Sequence, residues 1–230
     1  MMIEPKSSNV AIVLLGSFNP AIINPDWLVL NEVIGKIQAE DREIALITPQ
    51  FSGFRVSTYQ YQVTPERFAV IFESAPHVEL QDAVSKIFQE LLPHTPVQQL
   101  GINRSAHFSV GSEEKRNAIG RKLAPTEPWG KWSEEWKDRL PPGRGGMINL
   151  SVQESFPGDP HNRRITATVQ PSLLIADNIG IFVAINDNYV LTENTGFAAA
   201  SLLTEKFESS VQRSEWIIDQ IMRLKETEHA

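Results

Sequence analysis

The chain has 230 residues, no cysteine and a formal net charge of −7 at pH 7. A chain of this length can bury a core without cross-links, and the lack of cysteine excludes disulfides, thiolate metal sites and cysteine nucleophiles. The acidic balance disfavours nucleic acid as a partner, because most of the surface repels phosphate.

The first apolar run, Val10 to Leu15, is typical of a buried strand and is closed by Gly16. It is too short for a signal peptide or a membrane span, so we expect a cytoplasmic protein that does not contact a membrane. Asn24 then offers a helix cap, and the apolar spacing predicts one amphipathic helix from Trp27 to about Glu40.

An antiparallel hairpin is predicted next. The segment Phe54 to Tyr61 alternates as a strand does, and after a turn at residues 64–66 the run Arg67 to Phe72 supplies its partner. An apolar stripe predicts a helix from Leu80 to Leu91, and Val97 to Val110 is predicted to be a strand. This order is compatible with a ferredoxin-like sandwich.

Residues 111–146 differ in composition from the rest of the chain. A helix is predicted from Glu113 to Leu123, and prolines and glycines punctuate the remainder of this segment, as in a connector. Three further strands are predicted at Met147 to Ser155, Arg164 to Gln170 and Gly180 to Ile185, with a turn at residues 157–160 between the first two.

A long helix is predicted from about Phe197 to Leu224, with a break at Ser209-Ser210. Its apolar stripe is expected to be buried, whereas Glu205, Arg213 and Glu215 are expected to be wetter. The stripe consists of Leu203, Phe207, Val211, Ile218 and Met222.

These elements predict an α+β fold in which helices pack on one face of antiparallel sheets, compatible with two ferredoxin-like or related α/β-sandwich halves. We expect the short connections at residues 64–67 and 157–163 to make antiparallel pairing dominant. The expected organisation is an N-terminal half at 1–110, a connector at 111–146, and a strand meander with a long helix at 147–230.

One candidate ligand site is the predicted loop that contains Asp159, His161, Arg163 and Arg164. An imidazole and two guanidinium groups on a loop are able to hold an anionic ligand, although turn residues alone also explain this composition. His107 is a further candidate, because it shares a strand face with Asn103 and Ser105. The alternative is that this face is simply solvated.

The candidate interaction surface is the connector segment that contains Trp129, Lys131, Trp132 and Trp136. Tryptophans with basic neighbours are able to bind a protein partner or to stack on bases. The alternative is that the indoles pin the connector onto the core. We add Phe207 to this surface, because a long amphipathic helix can meet a partner or a second copy of the chain.

No catalytic residue, metal site or cofactor is predicted. No two histidines have the helical spacing of a zinc site, and the sequence contains no nucleophile elbow or phosphate-binding Walker loop. The segment Leu15-Gly-Ser-Phe-Asn-Pro20 looks like the opening of the nucleotidylyltransferase signature. However, Ile22 and Pro25 occupy the positions of the two histidines of that family, and neither side chain can donate a hydrogen bond to phosphate.

Taken end to end, the chain resembles a sporadically distributed family of uncharacterised bacterial proteins. The segments that carry the resemblance are Val10 to Phe18, Asn24 to Trp27, Tyr59 to Arg67, Gly101 to Asn103, Ile181 to Leu191 and Leu202 to Ile218. The resemblance brings no assigned activity and no functional residues.

The leading hypothesis is therefore a non-enzymatic protein-binding or assembly protein, with a homodimer expected through the long helix or the tryptophan connector. One alternative is an enzyme or a binder of an anionic small molecule that uses residues 159–164. A second alternative is single-stranded nucleic-acid binding by residues 129–139.

Overall fold

The computed structural model describes residues 4–137 and 146–225, apart from the side chains of Ala39, Trp136, Lys137 and Lys225. Within these residues nine strands form one sheet: β1 (Ser7–Gly16), β2 (Arg42–Ile47), β3 (Ser52–Val56), β4 (Tyr59–Thr64), β5 (Arg67–Phe72), β6 (Val97–Ser109), β7 (Leu150–Ser155), β8 (Arg164–Pro171) and β9 (Gly180–Val190). Their order across the sheet is β2-β3-β4-β5-β1-β6-β9-β8-β7, and all eight neighbouring pairs are antiparallel. The predicted α+β class and the predicted dominance of antiparallel pairing are confirmed.

The same part of the chain contains six α-helices: α1 (Pro25–Leu30), α2 (Lys36–Glu40), α3 (Val78–Ser85), α4 (Glu113–Leu123), α5 (Lys131–Lys137) and α6 (Gly196–Met222). A π-helical segment, Lys86–Leu91, continues α3. Helix α6 crosses β6 and β9 and contacts α3 and the π-helical segment. The buried core side chains of the central strands point to this side of the sheet, as predicted for helices packed on one face.

The two halves of the sheet repeat one plan. In each half a first strand is followed by helices, then by a meander whose last strand returns beside the first, and then by a helix that packs on the sheet. Strands β1 and β6 join the halves, with Ile12 opposite Ile102. Strand β5 lies between β4 and β1 and is antiparallel to both, so β1 and β4 run parallel across one intervening strand, as in the split βαβ unit of a ferredoxin-like sandwich.

The single helix expected from Trp27 to Glu40 is two short helices. Asn24 caps α1, since its side chain accepts a hydrogen bond of 2.9 Å from the backbone N–H of Trp27. The chain then leaves the helix at Glu32, whose φ of 55° is left-handed. This break lets both Leu28 and Ile34 reach the core, and it leaves Leu30 and Ile37 more than 80% exposed.

The segment expected to be one strand from Phe54 to Tyr61 is a hairpin of its own. Val56 and Tyr59 lie directly opposite each other across a two-residue turn, in which Ser57 has a φ of 53°. Residues that face each other across a hairpin share one side of the sheet. The core-facing residues are therefore even-numbered up to Val56 and odd-numbered from Tyr59 onward. This change is visible in the sequence.

Helix α6 is unbroken at Ser209-Ser210, contrary to expectation. It spans two hydrophobic clusters, because Leu203 and Phe207 pack in a larger cluster with the first half of the sheet and Ile218 packs in a smaller one with β8 and β9. Ser210 lies between the clusters and is fully buried. The whole predicted stripe is buried, which confirms its assignment as the docking face.

Replacing Phe207 by Ala is expected to destabilise the protein by about 3–5 kcal/mol, because its ring is 96% buried and its removal leaves a cavity. Glu205→Ala on the exposed side of the same helix is the matched control and is expected to change little. Urea denaturation of both variants measures the difference. Equal unfolding midpoints for the two would contradict this docking face.

Candidate functional site

The loop from Asp159 to Arg164 joins β7 to β8 and is fixed to the end of β9. The Asp159 carboxylate accepts a 2.8 Å hydrogen bond from the backbone N–H of His161. The backbone carbonyl of His161 accepts a 2.7 Å hydrogen bond from the N–H of Val190, and its ring Nδ1 lies 3.2 Å from the Val190 carbonyl. The loop is therefore an ordered extension of the sheet and not a free hairpin tip.

Arg163 is held by a carboxylate that sequence reasoning missed. Its guanidinium donates to both oxygens of Asp187 at 2.9 and 2.7 Å, and Asp187 is fully buried. The same carboxylate accepts hydrogen bonds from the hydroxyls of Tyr189 at 3.0 Å and Ser210 at 2.6 Å. We call these four residues the Asp187 cluster. It joins the loop before β8, strand β9 and helix α6.

The electrostatics of the Asp187 cluster are those of a satisfied structural ion pair. The hydrogen bonds to Asp187 raise the pKa of Arg163, and burial followed by the carboxylate charge raises the pKa of Tyr189. The guanidinium also lies against the ring of Phe156, 4.7 Å from its centroid. Because Arg163 is neutralised in this way, its charge contributes little to holding a further anion.

The remaining candidates of the 159–164 site do not converge on Arg163. Arg164 begins β8 opposite Asn188, on the sheet face away from the helices. His107 also lies on that face but is paired with Phe182, five residues along β9 from Asp187, or roughly 17 Å. The loop and His107 are therefore separate places on the molecule.

His107 belongs to a polar ladder on the face of the sheet that no described helix covers. As predicted, it shares this face with Asn103 and Ser105, and the Ser105 hydroxyl donates to the Asn9 side chain at 2.9 Å. The His107 ring packs on Phe182, and its Nδ1 lies 2.8 Å from the Ser172 hydroxyl. Partial burial lowers the pKa of His107. Neighbouring side chains thus satisfy one another across the strands.

Trp129 and Trp132 form an exposed pair, so they do not pin the connector onto the core. They are 58% and 56% exposed, and their ring centroids are 5.7 Å apart in an edge-to-face arrangement. Trp129 ends a 3₁₀ turn that begins at Glu127, and Trp132 lies in α5. Lys131 between them is exposed, and the side chain of Trp136 lies outside the described residues.

A buried serine holds this pair in place. The hydroxyl of Ser133 donates to the carbonyl of Gly130 at 2.8 Å, and only 2% of Ser133 is exposed. Gly130 itself has a φ of 56°, which favours glycine and turns the chain from the 3₁₀ turn into α5. Phe207, the other residue assigned to the interaction surface, lies instead in the core of the chain, so its burial requires no partner.

Sequence reasoning also missed a cleft between α4 and the end of the sheet. It has a volume of about 430 Å³. Polar side chains of α4, including Arg116 and Asn117, form one wall, and Gln170 and Asn178 lie opposite. Arg116 already donates to Glu113 and Asn117 at 3.3 and 2.9 Å. Residues 113, 116, 117 and 120 are three or four positions apart, so the sequence indicates that they share one face of α4.

Two features are absent among residues 4–137 and 146–225. These residues contain no cluster of three or more His, Asp or Glu side chains placed to hold a metal ion. None of their helices combines the length and apolar character needed to cross a membrane.

Comparisons with models of protein families and with curated proteins find no match to this chain. Function must then be inferred from the surfaces that the fold exposes. The Asp187 cluster supports the structure, whereas more than half of Trp129 and of Trp132 is exposed.

Replacing Asp187 by Ala is expected to cost about 3–5 kcal/mol of unfolding free energy, because Arg163 then loses its partner in a partly buried position. The double change Asp187→Leu with Arg163→Met is expected to regain only part of this loss, because the buried hydroxyls of Tyr189 and Ser210 then lose their acceptor. Glu73→Ala, which breaks a half-exposed pair with Arg55, is the control and is expected to cost less than about 1 kcal/mol. Chemical denaturation measures all three. Similar losses for Asp187→Ala and Glu73→Ala would contradict this account.

His77, next to Arg104 at the start of α3, is expected to weaken the fold in mild acid. Burial lowers its pKa below the usual 6.5, and the Arg104 charge lowers it further. Between the folded and unfolded pKa values the unfolded chain binds more protons, so stability falls as the pH falls below about 6.5. Between pH 7.5 and pH 5.5, His77→Gln should lose less stability than the parent protein. The difference should be at most about 1.4 kcal/mol for each unit by which the folded and unfolded pKa values of His77 differ. If stability, measured by denaturant titration, depends on pH equally in His77→Gln and in the parent, this role of His77 is contradicted.

Proposed function

We propose that this protein binds another protein through the exposed pair Trp129 and Trp132. The observation that carries the proposal is that two large indole rings contact each other while more than half of each remains exposed. Tryptophan is the residue most enriched where protein interfaces gain their binding energy. Two adjoining exposed indole rings form a contiguous apolar patch, which is typical of a protein-interaction site.

The local backbone supports recognition by a preformed surface. The 3₁₀ turn and α5 contact each other, and the hydrogen bond between Ser133 and Gly130 fixes the angle between them. A surface that is ordered before binding loses little side-chain entropy on binding. The edge-to-face contact between the two rings also restricts their rotamers before a partner arrives.

The charge of the segment favours a protein partner over single-stranded nucleic acid. Residues 129–139 contain three cations, at Lys131, Lys137 and Arg139, and three anions, at Glu134, Glu135 and Asp138, so their formal charge is zero. Nucleic-acid binding of this kind needs a positively charged groove beside the aromatic rings. The 159–164 loop does not favour an anionic ligand either, since Asp187 already pairs with Arg163.

The double variant Trp129→Ala/Trp132→Ala tests the proposal. Affinity purification from the native cells is expected to recover a partner that this variant loses, and the purified partner should bind the variant at least tenfold more weakly. Leu174→Ala is the matched control, because Leu174 is 69% exposed and remote in sequence. The proposal fails if binding of the purified partner is unchanged by the double variant, or if Leu174→Ala weakens it equally.

A further inference from the structure

Strand β2 is an open edge of the sheet. It pairs only with β3 among the described strands, with Arg42 opposite Val56 and Ile44 opposite Phe54. Five of its six residues are exposed, and Ile47 is half-buried. Its outer backbone N–H and C=O groups therefore face away from the sheet, and such a row is a template for another strand.

Apart from a register shift between Ile44 and Leu46, this edge has little of the protection that an open strand usually carries. It contains no proline or lysine, and its two charges, Arg42 and Glu43, stand together at its start. The opposite edge strand, β7, is protected by a paired charge and by polar side chains. Glu154 of β7 pairs with Arg213 at 3.3 Å, and the strand carries serine and glutamine beside it.

Large aliphatic side chains are concentrated around β2. Leu30 and Ile37 are 81% and 83% exposed, and Ile44 and Leu46 are 52% and 51% exposed. A register shift between Ile44 and Leu46 places Ile44 opposite Phe54 and Leu46 opposite Gly53. Since Phe54 and Gly53 lie on opposite faces of the sheet, each face of this edge carries an exposed aliphatic side chain.

A groove beside the edge mixes apolar and charged side chains. It is lined by Val29 and Leu30 and by five charged residues of the segment 26–42, which include Arg42. Arg42 also forms an ion pair with Asp26 of α1. Leu30 therefore lies beside the edge strand, and the exposed aliphatic side chains of residues 30–46 form a surface that we call the β2 edge surface.

We propose that two copies of this chain pair through their β2 strands, antiparallel across a two-fold axis, and so form one continuous sheet. A strand that pairs with this edge should be extended and should carry aliphatic side chains on both faces. Strand β2 of a second copy meets both conditions. A two-fold axis makes the surface self-complementary. Arg42 and Glu43 cancel within the strand, whereas residues 26–41 beside it carry four acidic side chains and one lysine, so salt should strengthen the contact between two copies.

The area available predicts a weak dimer. A fully buried Leu or Ile side chain removes about 100 Å² of apolar surface from water, so covering the four exposed side chains in both copies buries roughly 500 Å² of apolar surface. Since roughly 60% of an interface is apolar, the whole interface has about 800 Å². This is roughly a third below the lower limit for stable specific complexes, which bury about 1,200–2,000 Å². Dimerisation should therefore depend on concentration.

Sedimentation velocity over micromolar to near-millimolar concentrations tests the proposal with the full chain. We expect a monomer–dimer equilibrium that Ile44→Lys weakens at least tenfold. The matched control is Val152→Lys on the opposite edge β7, where Val152 is 60% exposed, and it should leave the equilibrium unchanged. Thermal unfolding confirms that both variants are folded. The Trp129→Ala/Trp132→Ala variant should dimerise as the parent does, which separates this test from that of the proposed function.

A disulfide test reports the geometry independently. Because the chain has no cysteine, Ala45→Cys introduces a single thiol in β2. Mild oxidation should cross-link this variant into dimers and should leave Val152→Cys largely monomeric. The proposal is overturned if the parent protein is monomeric at every concentration, if Ile44→Lys leaves the dimer unchanged, or if Val152→Cys cross-links as readily as Ala45→Cys.

Discussion

The Asp187 carboxylate is the group around which the second half of the molecule is arranged. It is fully buried, yet three side chains from three parts of the chain donate hydrogen bonds to it. Burial of an ionised carboxylate is unfavourable unless it is paired and hydrogen-bonded, so Arg163, Tyr189 and Ser210 must occupy these positions together. This requirement fixes the loop before β8 against the end of β9 and fixes the middle of α6 above the sheet. The serine in α6 that looks like a break in the sequence is one of the points of attachment.

Once α6 is fixed, the distribution of exposed surface follows. One helix of 27 residues covers both hydrophobic clusters from a single side. On the opposite face β6 and β9 carry polar side chains, whereas β1 and β5 carry the half-buried Val13 and Ile71. Asn9, Asn103, Ser105 and Asn186 satisfy one another there through hydrogen bonds across the strands. A polar ladder of this kind is stable in water without a cover. Large exposed apolar side chains are found elsewhere, and the tryptophan pair and the β2 edge surface are among those places.

Elements with one clear period were predictable from the sequence, and those that depend on a break or on a distant partner were not. Helix α4 has its predicted bounds, and the stripe of α6 is buried as expected. The interruption at Glu32 was missed because a left-handed residue other than glycine leaves no compositional signal. The ion pair between Arg163 and Asp187 was missed for another reason. Its members lie 24 residues apart, and their contact depends on the register of β8 against β9, which no local pattern specifies.

The positions of the two peripheral surfaces indicate how they would work together. The β2 edge lies at one end of the sheet, whereas the tryptophan pair follows α4, which packs on the second-half strands β6 and β9 through Ile119. Neighbouring strands are about 4.8 Å apart, and six such intervals separate β2 from β9, so these two strands are roughly 29 Å apart. In the proposed dimer the α4 helices, which precede the tryptophan pairs, would lie far from the β2 contact. Two equivalent sites on one rigid sheet raise the effective concentration of the second contact, so a partner with two copies of the recognised surface would bind far more tightly than either contact alone allows. The two proposals together therefore predict that a partner with two binding surfaces gains affinity by avidity.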